Sequence, residues 1–202
     1  MILEIANYIG IIAFAISGSM KGIKKGMDLL GILVLGFSTA LGGGVIADLL
    51  LGKTPPTNLT YLPYPLTALI SSLITFTFYK IFANVGKPLL YADAIGLGAF
   101  AASGASLAYS IDPSPLLVIM IGSVTAVGGG VIRDLLSNEI PLVLSREFYA
   151  TAAILGSSIY FILRFEGISN YYDIIISFIV TSLLRIIAMK MNWELPKAIK
   201  NK

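Results

Sequence analysis

The chain has 202 residues, 56% of them hydrophobic and 12% charged, with no cysteine, no histidine and a formal net charge of +3. Soluble domains carry about 25% charged residues, so there is too little polar surface here to face water, and the composition is that of an integral membrane protein with a mean hydropathy of +0.88. The missing residue types exclude disulfides, thiol nucleophiles, imidazole bases and histidine metal sites, and no dense basic run marks a nucleic-acid footprint.

Seven apolar intervals follow in chain order, at about 2–20, 29–51, 62–84, 90–110, 115–137, 147–165 and 171–191. Each is close to the ~20 residues that cross ~30 Å of hydrocarbon as a helix. The dividers are polar or helix-breaking: Lys21 to Asp28, Gly52 to Asn58, Gly86 to Pro88, Ile111 to Pro115, Asn138 to Pro141, and Glu166 to Asn170. No barrel-type alternation is visible. Met1 leads straight into Ile2-Leu3-Glu4 with no basic n-region, so the first interval reads as a span and not as a cleaved signal.

The first interval holds Ile9 to Gly18, the second Gly42-Gly43-Gly44-Val45-Ile46-Ala47-Asp48-Leu49-Leu50, and the third Ser71-Ser72. A constant shift of 86 residues brings these onto Ile95 to Gly104, onto Gly128-Gly129-Gly130-Val131-Ile132-Arg133-Asp134-Leu135-Leu136, and onto Ser157-Ser158. One offset across three segments means a duplicated unit. Three spans per unit is an odd number, so the second copy enters the membrane from the opposite face, and the two are related by a pseudo-twofold axis in the membrane plane. The expected fold is an all-α membrane protein of seven transmembrane helices. It forms a single domain over 1–202, with repeat one at about 1–84, repeat two at about 87–168 and an unmatched seventh helix at about 171–191.

Charge sets the direction. With the amino terminus outside, Lys21, Lys24, Lys25, Lys80, Lys87, Arg146, Lys190, Lys197, Lys200 and Lys202 all fall on the cytoplasmic side, and only Lys53 and Arg164 face out. Arg133 and Arg185 lie within spans. By this orientation Asp48 lies towards the outer face and Asp134 towards the inner one.

Three consecutive glycines weaken a helix by roughly 1 kcal/mol each relative to alanine. Backbone groups freed there must line a cavity or meet protein, and a pair of interrupted helices in inverted halves points to a midplane ion or solute path. Close helix packing is the other reading of the same glycines. If each helix restarts after Gly44 and Gly130, Asp48 and Asp134 lie near a helix start, where the dipole favours negative charge. As alternatives, the aspartates cap a helix or reach the interface, and Arg133 and Arg185 snorkel. Arg133 and Asp134 are sequence neighbours about 100° apart on a helix and need not pair. Ser17, Ser103, Thr39 and Thr125 carry hydroxyls that replace part of a cation's water shell, or bond back to helix carbonyls. No Lys-Ser or Lys-Thr follows either triplet, which excludes a phosphate loop.

Two three-span repeats, each with an in-span Gly-Gly-Gly followed by Asp, plus a seventh span, resemble the trimeric intracellular cation (TRIC) channel family in its prokaryotic branch. The resemblance covers nearly the whole chain, and Gly42 to Gly44 and Gly128 to Gly130 are its most specific part. It implies a homotrimer with one pore in each subunit, bounded by helices two and five bent at their glycines, and permeation by potassium or other monovalent cations. A multi-pass protein without a cleavable leader and with a short tail suits a prokaryotic plasma membrane, and neither a cofactor beyond the permeating ion and bound lipid nor a nucleic-acid partner is expected. Some prokaryotic members carry the description of glycine transporters, so a carrier for a small solute such as glycine is the rival reading. An intramembrane enzyme is not expected, because no nucleophile stands with a base at plausible spacing.

Overall fold

The computed structural model describes residues 1–83, 87–145, 148–169 and 171–193, which are helical with no strand among them. Ten helices follow in order: α1 (Ile2–Lys24), α2 (Leu29–Leu50), α3 (Thr57–Thr60), α4 (Pro63–Thr77), α5 (Tyr79–Ala83), α6 (Pro88–Tyr109), α7 (Pro115–Leu136), α8 (Leu142–Ser145), α9 (Tyr149–Phe165) and α10 (Tyr172–Met191). Arg146, Lys197, Lys200 and Lys202 lie outside the described residues, as do Gly86, Asn170 and the interval ends at 84 and 147.

By length and composition α1, α2, α6, α7 and α10 can cross a membrane. The apolar α9 is shorter, at 17 residues, a rise of about 25 Å. The third expected span is divided, since α4 stops at Thr77 and α5 starts at Tyr79. Thr75 and Thr77 turn their hydroxyls onto the carbonyls of Ser71 and Leu73. Back-bonding of this kind in a run of β-branched and aromatic residues weakens the helix there.

Local chemistry sets the helix ends. Asp28 caps α2 by accepting the Gly31 N–H at 2.7 Å, and prolines open α4, α6 and α7, where the missing amide is no loss. After α2 the chain turns through Gly52 at φ 71°, and after α7 through Asn138 at φ 54°, each in the left-handed corner that closes a helix.

Small residues bring the long helices together. From Gly96 to Ser106 every residue of α6 is buried, and α6 packs against α1, α7, α9 and α10. Helix α1 packs on α2 and α4, α7 on α9, and α2 crosses α7. A side chain at Gly10 would enter the Phe100 ring, and one at Gly96 the Phe14 ring; these rings meet edge to face at 5.2 Å. Gly18 and Gly104 face Thr39 and Thr125 in the same matched way, and Gly36 and Gly122 face Ser72 and Ser157.

The last pair corrects the alignment of Ser72 with Ser158. Ser72 corresponds to Ser157 because the turn after α7 is one residue shorter. Gly52 and Asn138 match, yet Thr57 and Leu142, both at the start of the next short helix, are already one position out of step.

The expectation of interrupted helices is also corrected. Helical backbone runs unbroken through Gly42–Gly44 in α2 and through Gly128–Gly130 in α7. Each glycine costs only about 1 kcal/mol of helix propensity, and the missing side chains let two backbones press together, which offsets that loss through packing.

Candidate functional site

The two glycine triplets meet where α2 crosses α7. A Cβ on Gly43 would lie 2.2 Å from the Thr125 carbonyl oxygen, and one on Gly129 would lie 2.1 Å from that of Thr39. Each middle glycine thus abuts a backbone carbonyl of the opposite helix. The flanking glycines make room for side chains: Gly42 for Ile132, Gly44 for Asn58 and Gly130 for the Tyr149 hydroxyl. Thr39 and Thr125 donate their hydroxyls to the carbonyls of Leu35 and Ile121, both at 2.6 Å. Back-bonding is therefore what both hydroxyls do in this conformation.

On one side of the crossing is a cavity of about 270 Å³. Its polar lining includes Glu4, Asn7, Asp48, Lys53, Asn58, Ser103 and Thr125. Asp48 is 3% exposed and accepts the Thr57 N–H at 2.7 Å. Asn58 donates to the Leu41 carbonyl at 3.2 Å, next to the first triplet, and Asn7 donates to the Tyr64 hydroxyl at 3.2 Å.

Beyond the crossing, the matching space is filled. Arg133 is fully buried. Its guanidinium donates to Asp93, to the Ser17 hydroxyl at 2.7 Å, and to Asp134 through Nε at 2.9 Å and Nη2 at 3.2 Å. Asp134 also accepts the Leu142 N–H at 2.9 Å. Tyr149 is buried beside this cluster with the Arg185 guanidinium 4.9 Å over its ring. At the rim, Glu139 pairs with Lys21 and with Lys25, the latter at 2.8 Å, and Lys21 lies 3.9 Å from Asp134. Hydrogen bonds from Lys21 and then Lys25 lower the Glu139 carboxyl to about 2. Among the described residues no cluster of three acidic, histidine or cysteine side chains could hold a metal.

Two family-level findings bear on this geometry. The family model described as Glycine transporter matches residues 4–80 and again 90–164. A chain solved in work on conductance through TRIC cation channels superposes with a TM-score of 0.91 and 64% identity, covering 100% of both chains. The chain belongs to the prokaryotic TRIC channel family. The TRIC orthologue of Rhodobacter sphaeroides superposes with a TM-score of 0.89 and 34% identity, covering 95% of this chain and 98% of that one. The UPF0126 membrane protein YvgT of Bacillus subtilis is 38% identical over 96% of this chain and 95% of its own. With relatives named as membrane proteins and five helices long enough to span among the described residues, this TRIC family member is a multi-pass membrane protein.

The sequence-marked residues of this TRIC chain fall into two groups separated by the crossing. Gly44, Asp48, Ser103 and Thr125 line the cavity, while Ser17, Arg133 and Asp134 form the buried cluster. Thr39 sits between them, facing Gly18 and Gly129. Two expectations about charge are corrected. Asp48 and Asp134 lie in the last turn of α2 and α7, not at a helix start, and the amides of Thr57 and Leu142 offset the unfavourable dipole. Arg133 and Asp134 do pair, and Arg133 does not snorkel, because Asp93 and Ser17 draw its guanidinium inward.

Asp93, Asn7 and Asn58 were not singled out as site residues by the sequence reading. Asp93 is a charge inside an apolar interval, and that signal alone could have marked it. It stands 86 residues after Asn7 in the same register as the other matches.

Proposed function

We propose that this chain is a monovalent cation channel, conducting potassium along a path inside each subunit between α2 and α7. The observation that carries this reading is the cavity, lined in part by charged and hydroxyl side chains, that ends on the glycine crossing, in a chain 64% identical to one solved as a TRIC cation channel. Asp48 and Glu4, two carboxylates against the one ammonium of Lys53, raise the local cation concentration, and the hydroxyls of Ser103 and Thr125 replace part of the hydration shell. The crossing is too tight for an ion in this conformation, where a methyl group would already overlap a carbonyl. Conduction therefore requires α2 and α7 to part, and the Arg133 cluster to yield on the far side. In this reading Gly42 to Gly44 and Gly128 to Gly130 are the surface along which the helices separate.

The membrane layout goes with this proposal. Seven passes are formed by α1, α2, α4 with α5, α6, α7, α9 and α10, in two inverted three-helix units and a final helix. The twofold match of the family model supports the repeat. Lys21, Lys24, Lys25, Lys80, Lys87 and Lys190 share the Asp134 end, against Lys53 and Arg164 at the other. This charge bias supports a cytoplasmic Asp134 end, an outer amino terminus and a plasma-membrane location. The assembly is a homotrimer in lipid, as the family is named. The other reading, transport of a small solute such as glycine, is favoured by the family model's description.

Reconstitution into planar bilayers under a potassium gradient separates the two. Unitary currents that reverse near the potassium potential are expected. Saturable glycine uptake with counterflow, and no unitary current, overturns the channel.

A further inference from the structure

The cavity at the Asp48 end is rich in acceptors whose own donors are turned elsewhere. Asp48 lines it and is 3% exposed. One of its carboxylate oxygens accepts the Thr57 N–H. The other has no hydrogen bond or ion pair among the described residues. Asn7 and Asn58 spend their amide nitrogens on the Tyr64 hydroxyl and the Leu41 carbonyl, which leaves the carbonyl oxygen of each as an acceptor. Thr125 gives its hydroxyl hydrogen to Ile121 and keeps its lone pairs. Glu4 stands at the exposed rim, 3.4 Å from the Met1 amino group, and Lys53 is the one cationic side chain in the lining.

Much of the remaining wall is carbon, from Leu3, Ala47, Phe100 and Leu107. An apolar wall with a few placed polar groups is the pattern of an organic-ligand site. A bare alkali ion fills little of about 270 Å³ and gains nothing from the carbon. A primary ammonium brings three N–H donors and no acceptor, which matches the surplus of acceptors, and its bond to a carboxylate is of the strong, charge-assisted kind. A short alkyl tail on the same ion covers the apolar wall. The glycine crossing closes the inner end, because even a Cβ on Gly43 would lie 2.2 Å from the Thr125 carbonyl oxygen. An occupant of this size therefore sits at a dead end.

We propose that this cavity is a receptor site for a small primary alkylammonium ion, its head bonded to Asp48 and its tail against Leu3, Phe100 and Leu107. The binding is independent of the channel reading. Its consequence, that occupation from the Asp48 side blocks potassium flux, rests on that reading.

The test uses the complete chain in neutral-lipid nanodiscs, titrated with n-propylammonium chloride by calorimetry against empty discs. Saturable binding is expected. From methylammonium through ethylammonium to n-propylammonium the affinity should rise by about threefold for each added methylene. Asp48→Asn should weaken n-propylammonium by about tenfold or more while the unliganded melting temperature holds, since the new amide oxygen still accepts the Thr57 N–H. Lys53→Gln, which removes a like charge from the lining, should tighten it several-fold. Tetramethylammonium, with the same charge and no N–H, should bind at least tenfold more weakly. Absence of saturable n-propylammonium binding overturns the site, as does binding indifferent to both Asp48→Asn and Lys53→Gln. A flat chain-length series overturns the tail contact, and equal affinity for tetramethylammonium overturns the hydrogen-bonded head. Glycine bound more tightly than n-propylammonium overturns the assignment in favour of a zwitterion. Potassium flux in proteoliposomes is read separately: binding retained without block leaves the site standing and places the conduction path elsewhere.

Discussion

The Asp48 end and the Asp134 end are built from matching parts and finish differently. Both place an aspartate in the last turn of a long helix and satisfy it with the first amide of a short one. Both set a buried tyrosine nearby: Tyr64 lines the cavity with Asp48, and Tyr149 lies against Gly130 near Arg133. Among the differences between them, Ala47 is matched by Arg133 and Asn7 by Asp93. With a small neutral residue the space stays open as a cavity of about 270 Å³. With an arginine, the same space holds a fully buried guanidinium and its two carboxylates. The repeated phrase thus ends beside an open cavity on one side and in a buried ion cluster on the other.

The strongest way to break that contrast is to remove the plug's partner. Asp93→Asn leaves a buried cation short of one carboxylate and should cost about 3 kcal/mol or more, since removing one side of a buried pair strands the other. Arg133→Ala combined with Asp93→Asn copies the Asp48 end and should recover more than half of that loss. Chemical unfolding of Asp93→Asn, Arg133→Ala and the double variant in detergent measures the coupling. Equal losses in the single and double variants would mean that the pair does not act as a unit.

Next in size is the crossing, where the two ends share a boundary. Gly43→Ala and Gly129→Ala each drive a methyl group into a backbone carbonyl and should each destabilise by about 1–3 kcal/mol. Gly42→Ala meets only the flexible tip of Ile132 at 2.3 Å and should cost less than either. Melting temperatures rank them, and a Gly42→Ala loss as large as the middle-glycine losses would deny the backbone contact.

The converse experiment builds a plug where the cavity is. Asn7→Asp with Ala47→Arg gives the Asp48 end the residues of the other end. Under the channel reading, potassium flux in proteoliposomes should fall by about tenfold, because a fixed cation at the mouth is a barrier. Flux equal to the unmodified chain would place the path elsewhere.

The sequence carried the helices well, and the site less so. Interval boundaries follow from apolar length and from Gly, Asn and Pro at helix ends, which are local signals; α2 and α7 fall within a residue of their expected limits. The duplicated phrase also led to the crossing itself. The route misled at Gly42–Gly44 because propensity is a local quantity, and packing against Thr125 and Thr39 overrode it. The pairing of Arg133 with Asp93 is 40 residues long-range and is fixed only once α6 and α7 lie side by side. The slip from Ser158 to Ser157 depends on the length of a turn, where apolar pattern carries no register.

The smallest effect lies at the rim, where Glu139 ties Lys21 and Lys25 to the plug side. Its carboxyl is lowered from an ordinary 4.5 to about 2, first by the hydrogen bond from Lys21 and then by that from Lys25. A depressed carboxyl stabilises fully above its unfolded value and loses that contribution as pH falls through its folded value. The melting difference between the unmodified chain and Glu139→Gln should therefore be flat from neutral pH down to about 5, decline below about 4.5, and vanish near 2. The glutamate is 42% exposed, so solvent screening keeps the difference small and added salt should shrink it further. The Asp48 end supplies the control, because Lys53 occupies the position of Glu139 there and has no ion pair among the described residues. Lys53→Gln should give no pH-dependent difference across the same range, and a matching decline would assign the effect to general charge and not to the rim contact.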